Sequence, residues 1–323
     1  MTHKNQLLKL LFNNQNRWLS GDELARYFNV SRTMIWKDIK TLQKEGFNIS
    51  SKKGAGYQLL AGYALNNGLI KSQLENTAIA LHTFTKIDST NTYLKKYISS
   101  HYLEAPLAVI AEQQTAGYGR FKRHFYSPFP GGLYLSLGIP LKDHFFKPSL
   151  LTPSIAVGVI TVLEKYFPAK KFEVEWVNDI LLNDKKVAGI LTELNTDLES
   201  FSPSEVTIGI GINLTTQNFP LQLQQTACSI SDHLPVDINQ ICAALINQIC
   251  NIFKNYTTGK YIPLYKKRLT TLKHNVRLQV GQQTIEGCAL DLTNDGGLII
   301  QTKDDKIKTY YSGEVQKLRK YDQ

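Results

Sequence analysis

One short segment of this chain alternates isoleucine with glycine. Residues 208–213 read Ile-Gly-Ile-Gly-Ile-Asn, and an extended strand separates such an alternation into two different faces. One face carries isoleucines, whereas the other carries Gly209 and Gly211 and is bare. No helix pattern follows, so the segment is not a dinucleotide-binding fingerprint. The bare face allows either the apolar arm of a ligand or another strand to lie flat on the backbone, and the segment alone leaves both alternatives open.

Length and charge set broad limits on the fold and on the partners. The chain has 323 residues, enough for about two or three domains. Its formal net charge of +10 and its pI of about 9.2 suit a polyanion such as nucleic acid or a phosphate, without selecting one. We find no apolar run of about eighteen residues, so we expect no membrane span and a cytoplasmic protein. The cysteines form no Cys-x-x-Cys pair and the histidines are scattered, which gives no sign of a metal site built by the protein.

The first sixty residues carry the signals of two short capped helices and a basic hairpin. Ser20 and Glu23 form a capping box at the start of one helix, and Ser31 caps the next helix. Residues 49–59 then predict a tight hairpin with a basic tip. This order predicts a winged helix-turn-helix, whose second helix can enter a groove of DNA.

The second of these helices and the hairpin tip carry the side chains that could contact DNA. Arginine and lysine bind phosphates or guanine edges, and hydroxyl side chains contact bases or backbone. The alternative is a helical module for dimerisation or packing, in which the basic residues are solvated and Trp36 is a packing residue. The candidate DNA-binding residues are Ser31, Arg32, Thr33, Trp36, Lys37, Lys40, Lys52 and Lys53.

From residue 83 to about residue 273, strand and helix patterns alternate. A helix is predicted from Thr152 to Tyr166, with Pro153 at its first position. Asn183 and Asp184 predict the turn of a hairpin between two apolar strands. The mixture indicates an α+β fold with a mostly antiparallel or mixed sheet. Further strands are predicted at residues 107–111, 133–137, 172–176 and 206–213.

A glycine-rich cationic loop spans residues 117–123. Gly117 and Gly119 allow the backbone to approach a phosphate closely, and Arg120 and Arg123 add positive charge. Taken alone, such a loop is equally consistent with an exposed basic turn.

A lysine on the predicted hairpin is a second candidate for contact with a phosphate. From a two-stranded hairpin, Lys186 can point steadily at a developing charge. Asn178 and Asp179, just before the hairpin, could polarise a phosphate or help to position Mg²⁺. A solvated turn lysine and an Asx turn are the alternative interpretations.

Taken together, these segments resemble the biotin protein ligases that also repress the biotin operon. Residues 117–123 read Gly-Tyr-Gly-Arg-Phe-Lys-Arg where the family commonly has Gly-Arg-Gly-Arg-x-Gly-Arg, so Tyr118 and Lys122 are departures. Residues 175–179 read Glu-Trp-Val-Asn-Asp where the family has Lys-Trp-Pro-Asn-Asp. Residues 186–193 resemble the lysine motif of the family, and the resemblance covers nearly the whole chain in order.

The resemblance implies an activity and a set of partners. Such enzymes make biotinyl-5′-AMP from biotin, ATP and Mg²⁺, and they pass the biotinyl group to a lysine on the biotin carboxyl carrier domain of acetyl-CoA carboxylase. When the acceptor is scarce, the adenylate-bound enzyme forms a homodimer and holds operator DNA. The implied fold is α+β, with a winged helix-turn-helix at residues 1–62, a mixed-sheet ligase domain at 63–273 and a small SH3-like β barrel at 274–323.

The resemblance also assigns roles to residues of this chain. Lys186 and Arg120 are the candidate catalytic residues, and Asp179 is the candidate contact for Mg²⁺. The candidate biotin-binding residues are Ser89, Thr90, Asn91, Gln114, Tyr118, Gly119, Arg120, Lys186, Gly209 and Gly211. The candidate nucleotide-binding residues are Gly117, Arg123, Phe125, Asn178, Asp179 and Asn213.

Three other functions stay open at this point. A lipoate ligase has a related fold and the same chemistry, but it normally lacks a DNA-binding head. A transcription regulator could use an inactive ligase domain as a biotin sensor. A ligase could also carry a vestigial head that no longer binds DNA.

Overall fold

Three groups of elements follow one another along the chain. The computed structural model describes residues 3–15, 17–141, 146–196 and 203–317. The first group has the predicted order of three helices and a two-stranded wing. Its elements are α1 (His3–Asn13), α2 (Gly21–Phe28), α3 (Arg32–Lys44), β1 (Ile49–Lys52) and β2 (Gly56–Leu59).

Capping side chains fix the ends of the helices in this first group, as predicted. The Ser20 and Ser31 hydroxyls each accept a hydrogen bond from the backbone N–H three residues further on, at 3.0 and 3.2 Å. Asn29 ends α2 in the left-handed conformation, with φ at 52°. The Glu23 carboxylate forms an ion pair with Arg17 at 3.7 Å.

A seven-stranded mixed sheet forms the middle of the protein. Its strands are β3 (Ala80–Ile87), β4 (Leu107–Gln114), β5 (Gly132–Pro140), β6 (Glu173–Glu175), β7 (Asp179–Leu182), β8 (Lys185–Thr196) and β9 (Pro203–Asn213). Their order across the sheet is β3–β4–β5–β9–β8–β7–β6. The pair β3–β4 is parallel and the other pairs are antiparallel, which confirms the mixed sheet. Asn183 and Asp184 form the β7–β8 turn with φ at 52° and 59°.

Helices cover one face of this sheet. The isoleucines at 208, 210 and 212 are buried in one apolar cluster with residues of two long helices, Pro148–Tyr166 and Ile238–Phe253. None of the described helices is long and apolar enough to cross a membrane. The remaining helices are α4 (Asn67–Lys71), α5 (Thr90–Ile98), α6 (Pro148–Tyr166), α7 (Ile238–Phe253) and α8 (Ile262–Arg268).

The start of α6 was predicted wrongly. The helix begins at Pro148, and Pro153 lies inside it instead of at its first position. Proline in a helix interior leaves the carbonyl four residues earlier without its usual donor, here that of Ser149. That carbonyl lies against Gly296, where an added Cβ would be only 2.6 Å from the oxygen. The sequence pattern did not reveal this tertiary contact.

The C-terminal residues form a five-stranded antiparallel sheet. Its strands are β10 (Asn275–Val280), β11 (Gln283–Leu292), β12 (Leu298–Thr302), β13 (Ile307–Tyr310) and β14 (Glu314–Lys317). Their order is β13–β12–β11–β10–β14, so within the described residues β13 and β14 are edges and the sheet is open. A closed SH3-like barrel is therefore not confirmed, and the last six residues of the predicted 274–323 domain lie outside the described residues.

Buried polar groups hold the linker between the winged helix-turn-helix and the central sheet. The Asn239 side chain, at the start of α7, accepts from Asn66 N at 2.8 Å and donates to the carbonyl of Ala64 at 2.9 Å. Asp237 caps the same helix by accepting from Asn239 N at 3.0 Å. Because it is buried, the pKa of Asp237 is raised to about 6. Asn239 therefore contacts both the linker and the Asp237 carboxyl group, and none of these contacts involves a cation.

Candidate active site

A cavity of about 140 Å³ lies over the bare glycine face of the sheet. It brings together segments separated by more than two hundred residues in sequence, from α5 to β14. Most of the predicted site residues line it: Ser89, Thr90, Asn91, Gln114, Tyr118, Gly119, Arg120, Arg123, Phe125, Asn178, Asp179, Lys186, Gly209 and Gly211. The lining residues that the sequence did not suggest are Phe121, His124, Gly189, Ile190, Leu191, Ile210 and Glu314.

Two predicted residues lie outside the lining of this cavity. Gly117 is buried beneath the loop, and an added Cβ there would be 2.6 Å from Ser127 Oγ and 2.7 Å from Gln114 Nε2. Asn213 ends β9 and is buried, and its Oδ1 has no hydrogen-bond partner among the described residues. Gly117 therefore acts on the shape of the loop, and the position of Asn213 does not favour direct contact with a nucleotide in this cavity.

Two side chains of the protein itself lie on the bare face. A Cβ added to Gly209 would be 2.5 Å from Asn91 Oδ1. A Cβ added to Gly211 would be 2.5 Å from Cε1 of Phe125. The strand therefore needs glycine at both positions, because an amide and an aromatic ring lie directly on its backbone. From the sequence, only a ligand or another strand was expected on this face.

A hydrogen-bonded network organises the end of the cavity at the start of α5. Gln114 Oε1 accepts from Thr90 N at 2.8 Å and from Thr90 Oγ1 at 3.0 Å. The Gln114 amide donates to Ser127 Oγ at 3.1 Å. Ser136 donates to Thr90 Oγ1 at 2.7 Å and also contacts Asn91 Oδ1. Such a preorganised set of donors and acceptors suits an uncharged polar ligand head.

The cationic loop folds back on itself over the other end of the cavity. Gly119 N donates to the carbonyl of Arg123 at 2.9 Å, and Phe125 N donates to the carbonyl of Gly117 at 2.8 Å. Lys122, which stands where the family commonly has glycine, has φ at 59°. A lysine therefore occupies a left-handed conformation that glycine adopts more readily.

Arg120 joins this loop to the central sheet and to the C-terminal sheet. Its Nη1 donates to the carbonyl of Gly313 at 2.8 Å and to Asn178 Oδ1 at 3.2 Å. Burial lowers the pKa of Arg120, and the nearby carboxylates of Asp179 and Glu314 oppose this effect. Since a guanidinium stays protonated in proteins, Arg120 is a partly desolvated cation at the cavity wall.

The other two candidate phosphate-binding cations are already paired with carboxylates. Lys186 Nζ lies 2.8 Å from Asp179 Oδ2 and 5.9 Å from the centre of the Phe125 ring. Arg123 forms an ion pair with Glu314. A phosphate that binds here must compete with these carboxylates or must arrive with a cation that occupies them.

These two ion pairs stand between the first cavity and a larger one. The second cavity, of about 1290 Å³, shares Arg123, Asp179, Lys186 and Glu314 with the first and extends along β7 and the C-terminal sheet.

The described residues contain no group of three or more histidine, cysteine or acidic side chains that could hold a metal ion.

The candidate DNA-binding residues form an exposed surface of the first group of elements. All eight, from Ser31 to Lys53, are exposed. Half of the Trp36 side chain is accessible to solvent, which argues against its use as a core packing residue. Arg32 forms an ion pair with Asp22, with 3.2 Å between Nε and Oδ1. The apolar residues of α3 point the other way, since Ile35 and Ile39 are fully buried.

Comparison with known proteins agrees with this geometry. The chain is 31% identical to the bifunctional ligase/repressor BirA of Escherichia coli strain K12, and the match covers 96% of this chain and 95% of the relative. The chain belongs to the biotin protein ligase family. It is also 29% identical to the bifunctional ligase/repressor BirA of Bacillus subtilis strain 168, with 98% of each chain covered.

Three family descriptions match successive parts of the chain. The biotin/lipoate A/B protein ligase family matches residues 83–213, a helix-turn-helix domain matches residues 3–58, and the biotin protein ligase C-terminal domain matches residues 274–318. Among solved structures, the biotin protein ligase from Aquifex aeolicus in complex with biotin and ATP has a TM-score of 0.63 at 27% identity, and the match covers 74% of this chain and 99% of that one. The chain is thus a biotin protein ligase that carries the helix-turn-helix of a repressor.

Proposed function

We propose that this protein activates biotin with ATP to give biotinyl-5′-AMP and then transfers the biotinyl group to a lysine of a biotin carboxyl carrier domain. One observation supports this proposal most directly: a single cavity combines the polar network around Gln114 with the cations Arg120 and Lys186. The first can receive an uncharged ureido ring, and the second can receive a carboxylate next to a phosphate.

The first step joins two negatively charged groups. A carboxylate oxygen of biotin attacks the α-phosphorus of ATP, the bond to the bridging oxygen breaks, and pyrophosphate leaves. Lys186 can lie between the two groups once it exchanges Asp179 for a phosphate oxygen, and it offsets charge that grows in the transition state. In the second step the amine of the carrier lysine attacks the acyl carbon and AMP leaves.

Asp179 is the residue best placed to contact Mg²⁺ brought in with ATP. A single carboxylate, with phosphate oxygens and water as the other ligands, fits the way in which proteins commonly hold this ion. When bound there, Mg²⁺ would offset the charge of the phosphates. The pairing of Asp179 with Lys186 at 2.8 Å means that the carboxylate already lies at the reacting end of the cavity.

Exchange of labelled pyrophosphate into ATP tests this reaction. We expect exchange that depends on added biotin and is absent with lipoate. Lys186→Ala should abolish it. Lys185→Ala is the matched control, because Lys185 Nζ donates to the carbonyl of Gln224 at 2.8 Å and is not part of the cavity lining. Exchange with lipoate would indicate a lipoate ligase, and binding of biotin without exchange would indicate a sensor.

We further propose that residues 1–62 bind operator DNA, that residues 63–273 carry catalysis, and that residues 274–323 form a C-terminal domain that reaches the active site. The exposed cationic surface from Ser31 to Lys53 supports the first assignment. The contacts of Gly313 and Glu314 with the cationic loop support the last. Homodimer formation with bound adenylate follows from likeness to the repressors.

A gel shift on the DNA upstream of biotin synthesis genes tests the repressor function. We expect a shift that strengthens when biotin and ATP are both present and that weakens as salt rises, because phosphate contacts release counterions. Sedimentation under the same conditions reports the dimer. A shift that ignores both additives would remove the repressor assignment while leaving the ligase intact.

A further inference from the structure

The proposed reaction assigns no clear task to Tyr118, which stands where the family commonly has arginine. Its ring lies between two lysines. Lys122 Nζ is 4.5 Å from the ring centre and Lys95 Nζ is 5.8 Å from it. Both distances fall within the range of cation–π attraction. Lys122 belongs to the same loop, but Lys95 belongs to α5, so the ring connects the loop to the body of the protein.

Lys95 is itself held in place. Its Nζ lies 2.5 Å from Glu193 Oε1 on β8, and the lysine and glutamate side chains are 30% and 24% exposed. Burial alone would lower the pKa of Lys95, but the hydrogen bond and charge of Glu193, and after them those of Tyr118, raise it above its usual value. Glu193 also accepts from Asn91 Nδ2 at 3.4 Å. Lys95 is therefore a fixed cation next to the polar network of the cavity.

The nature of residue 118 decides how the loop behaves without a phosphate. An arginine here would place a third cation beside Lys95 and Lys122, and like charges would push the loop open until a polyanion arrived. A tyrosine ring instead attracts both ammonium groups through its negative face. The loop can then stay closed over an empty cavity.

Building on the proposed function, we propose that Tyr118, Lys95 and Glu193 form a latch that holds residues 117–125 closed before and after ATP reacts. The three are positioning residues: Glu193 fixes Lys95, Lys95 holds Tyr118, and Tyr118 keeps the loop over the intermediate. Because Lys122 belongs to the loop itself, only the contact with Lys95 opposes opening, and loss of this cation–π contact changes the opening equilibrium by about two- to fivefold.

Limited proteolysis of the full-length, ligand-free protein tests the latch without reference to biotin. Trypsin can cut the loop after Arg120, Lys122 or Arg123, and mass spectrometry identifies these cuts. We expect Tyr118→Leu and Lys95→Met each to raise the rate of these cuts about two- to fivefold. Tyr118→Phe keeps the ring but loses the hydroxyl that faces Lys95, so its rate of cleavage should lie between those of the wild type and Tyr118→Leu.

Lys96→Met is the matched control for the helix, because Lys96 neighbours Lys95 on α5 but is exposed. It should leave the rate of loop cleavage unchanged. If Lys95→Met fails to fold because it strands Glu193, the comparison of Tyr118→Leu with Tyr118→Phe still decides. Equal cleavage of the wild type and Tyr118→Leu would overturn the latch, and so would equal acceleration by the leucine and phenylalanine variants.

Release of preformed biotinyl-AMP gives the functional measurement. A latch predicts that Tyr118→Leu and Lys95→Met raise the rate of release by the same factors as loop cleavage, with Tyr118→Phe between the wild type and Tyr118→Leu. If the cleavage rates follow this pattern but no variant makes an adenylate from biotin, the latch stands and the proposed substrate fails. If adenylate forms and cleavage is unaffected, the proposed function stands and the latch fails.

Discussion

Replacing Gly211 with alanine tests whether the Phe125 ring must lie on the sheet for ligand to bind. Gly211 lies in β9 between β5 and β8, paired with Tyr134 on one side and with Gly189 on the other. Its backbone is held by both neighbouring strands and cannot move away. An added Cβ would be 2.5 Å from Cε1 and 2.7 Å from Cζ of Phe125. The ring must therefore retreat.

The size of the effect follows from this overlap. Carbon atoms in contact prefer separations of about 3.5–4.0 Å, so the ring must shift by about 1 Å. Inserting a methyl group into a packed contact costs about 1–3 kcal/mol. This cost falls on the state in which the loop is closed and Phe125 lies on the strand. If ligand binding requires that state, the affinity for biotinyl-AMP should fall by about five- to 150-fold.

Calorimetric titration of four proteins with a non-hydrolysable biotinyl-AMP analogue measures this cost. They are the wild type, Gly211→Ala, Phe125→Ala and the double variant. Since alanine at 125 removes the atoms that clash, we expect Gly211→Ala to cost little affinity in that background, which gives a large coupling energy. An equal loss from Gly211→Ala in both backgrounds would refute the reasoning, because the added methyl group would then act on the ligand itself or on the strand.

Three further predictions concern other parts of the molecule. Arg120→Gly removes the bonds to Gly313 and Asn178, so biotinyl-AMP should escape and label bystander proteins; labelling confined to the carrier would contradict this role. Burial raises the pKa of Asp237 from 3.8 to about 6, which favours its neutral form in the folded state. Its contribution to stability is therefore present at low pH and is lost as pH rises, by about 2 kcal/mol between about pH 4 and pH 8, and urea unfolding of Asp237→Asn should lack this loss. Replacing Lys52 and Lys53 together with alanine should weaken operator binding on all sequences and reduce its salt slope by about two, whereas an unchanged slope would place the wing away from the DNA.

Local signals in the sequence predicted most of the fold correctly. The hydroxyls of Ser20 and Ser31 accept hydrogen bonds from N–H groups three residues away, so a few adjacent residues determine the cap. The Asn183-Asp184 turn is equally local. The start of α6 was wrong because the helix extends past Pro153 to Pro148, and the Ser149 carbonyl that Pro153 leaves without a donor lies against the distant Gly296. The closed barrel was implied by the resemblance, and the strand order of the described residues leaves β13 and β14 as edges.

Sequence motifs identified candidate residues that line the cavity, but they did not identify residues that strand register brings to it. Ser136 reads as an ordinary strand residue, yet its pairing with Gly209 places it beneath Asn91. Lys95 and Glu193 are separated by almost a hundred residues and meet only because α5 packs against β4, β5 and β9, and β8 is the neighbour of β9 in the sheet. No periodicity in either segment signals such a pair, so the latch could only be found from the structure.

The pairing of the cations with carboxylates gives a physical reason for the order of events in the proposed reaction. In the ligand-free protein Lys186 is neutralised by Asp179, and Arg123 by Glu314. A phosphate alone could take Lys186 only by removing the lysine from Asp179 and adding negative charge nearby, which is unfavourable in a partly desolvated cavity, although Asn178 still donates to this carboxylate at 2.9 Å. A nucleotide that brings its own divalent cation supplies a partner for Asp179 and for Lys186 together, so the exchange of partners leaves no charge uncompensated. The same carboxylates that weaken binding of a free phosphate would thus select metal-bound ATP.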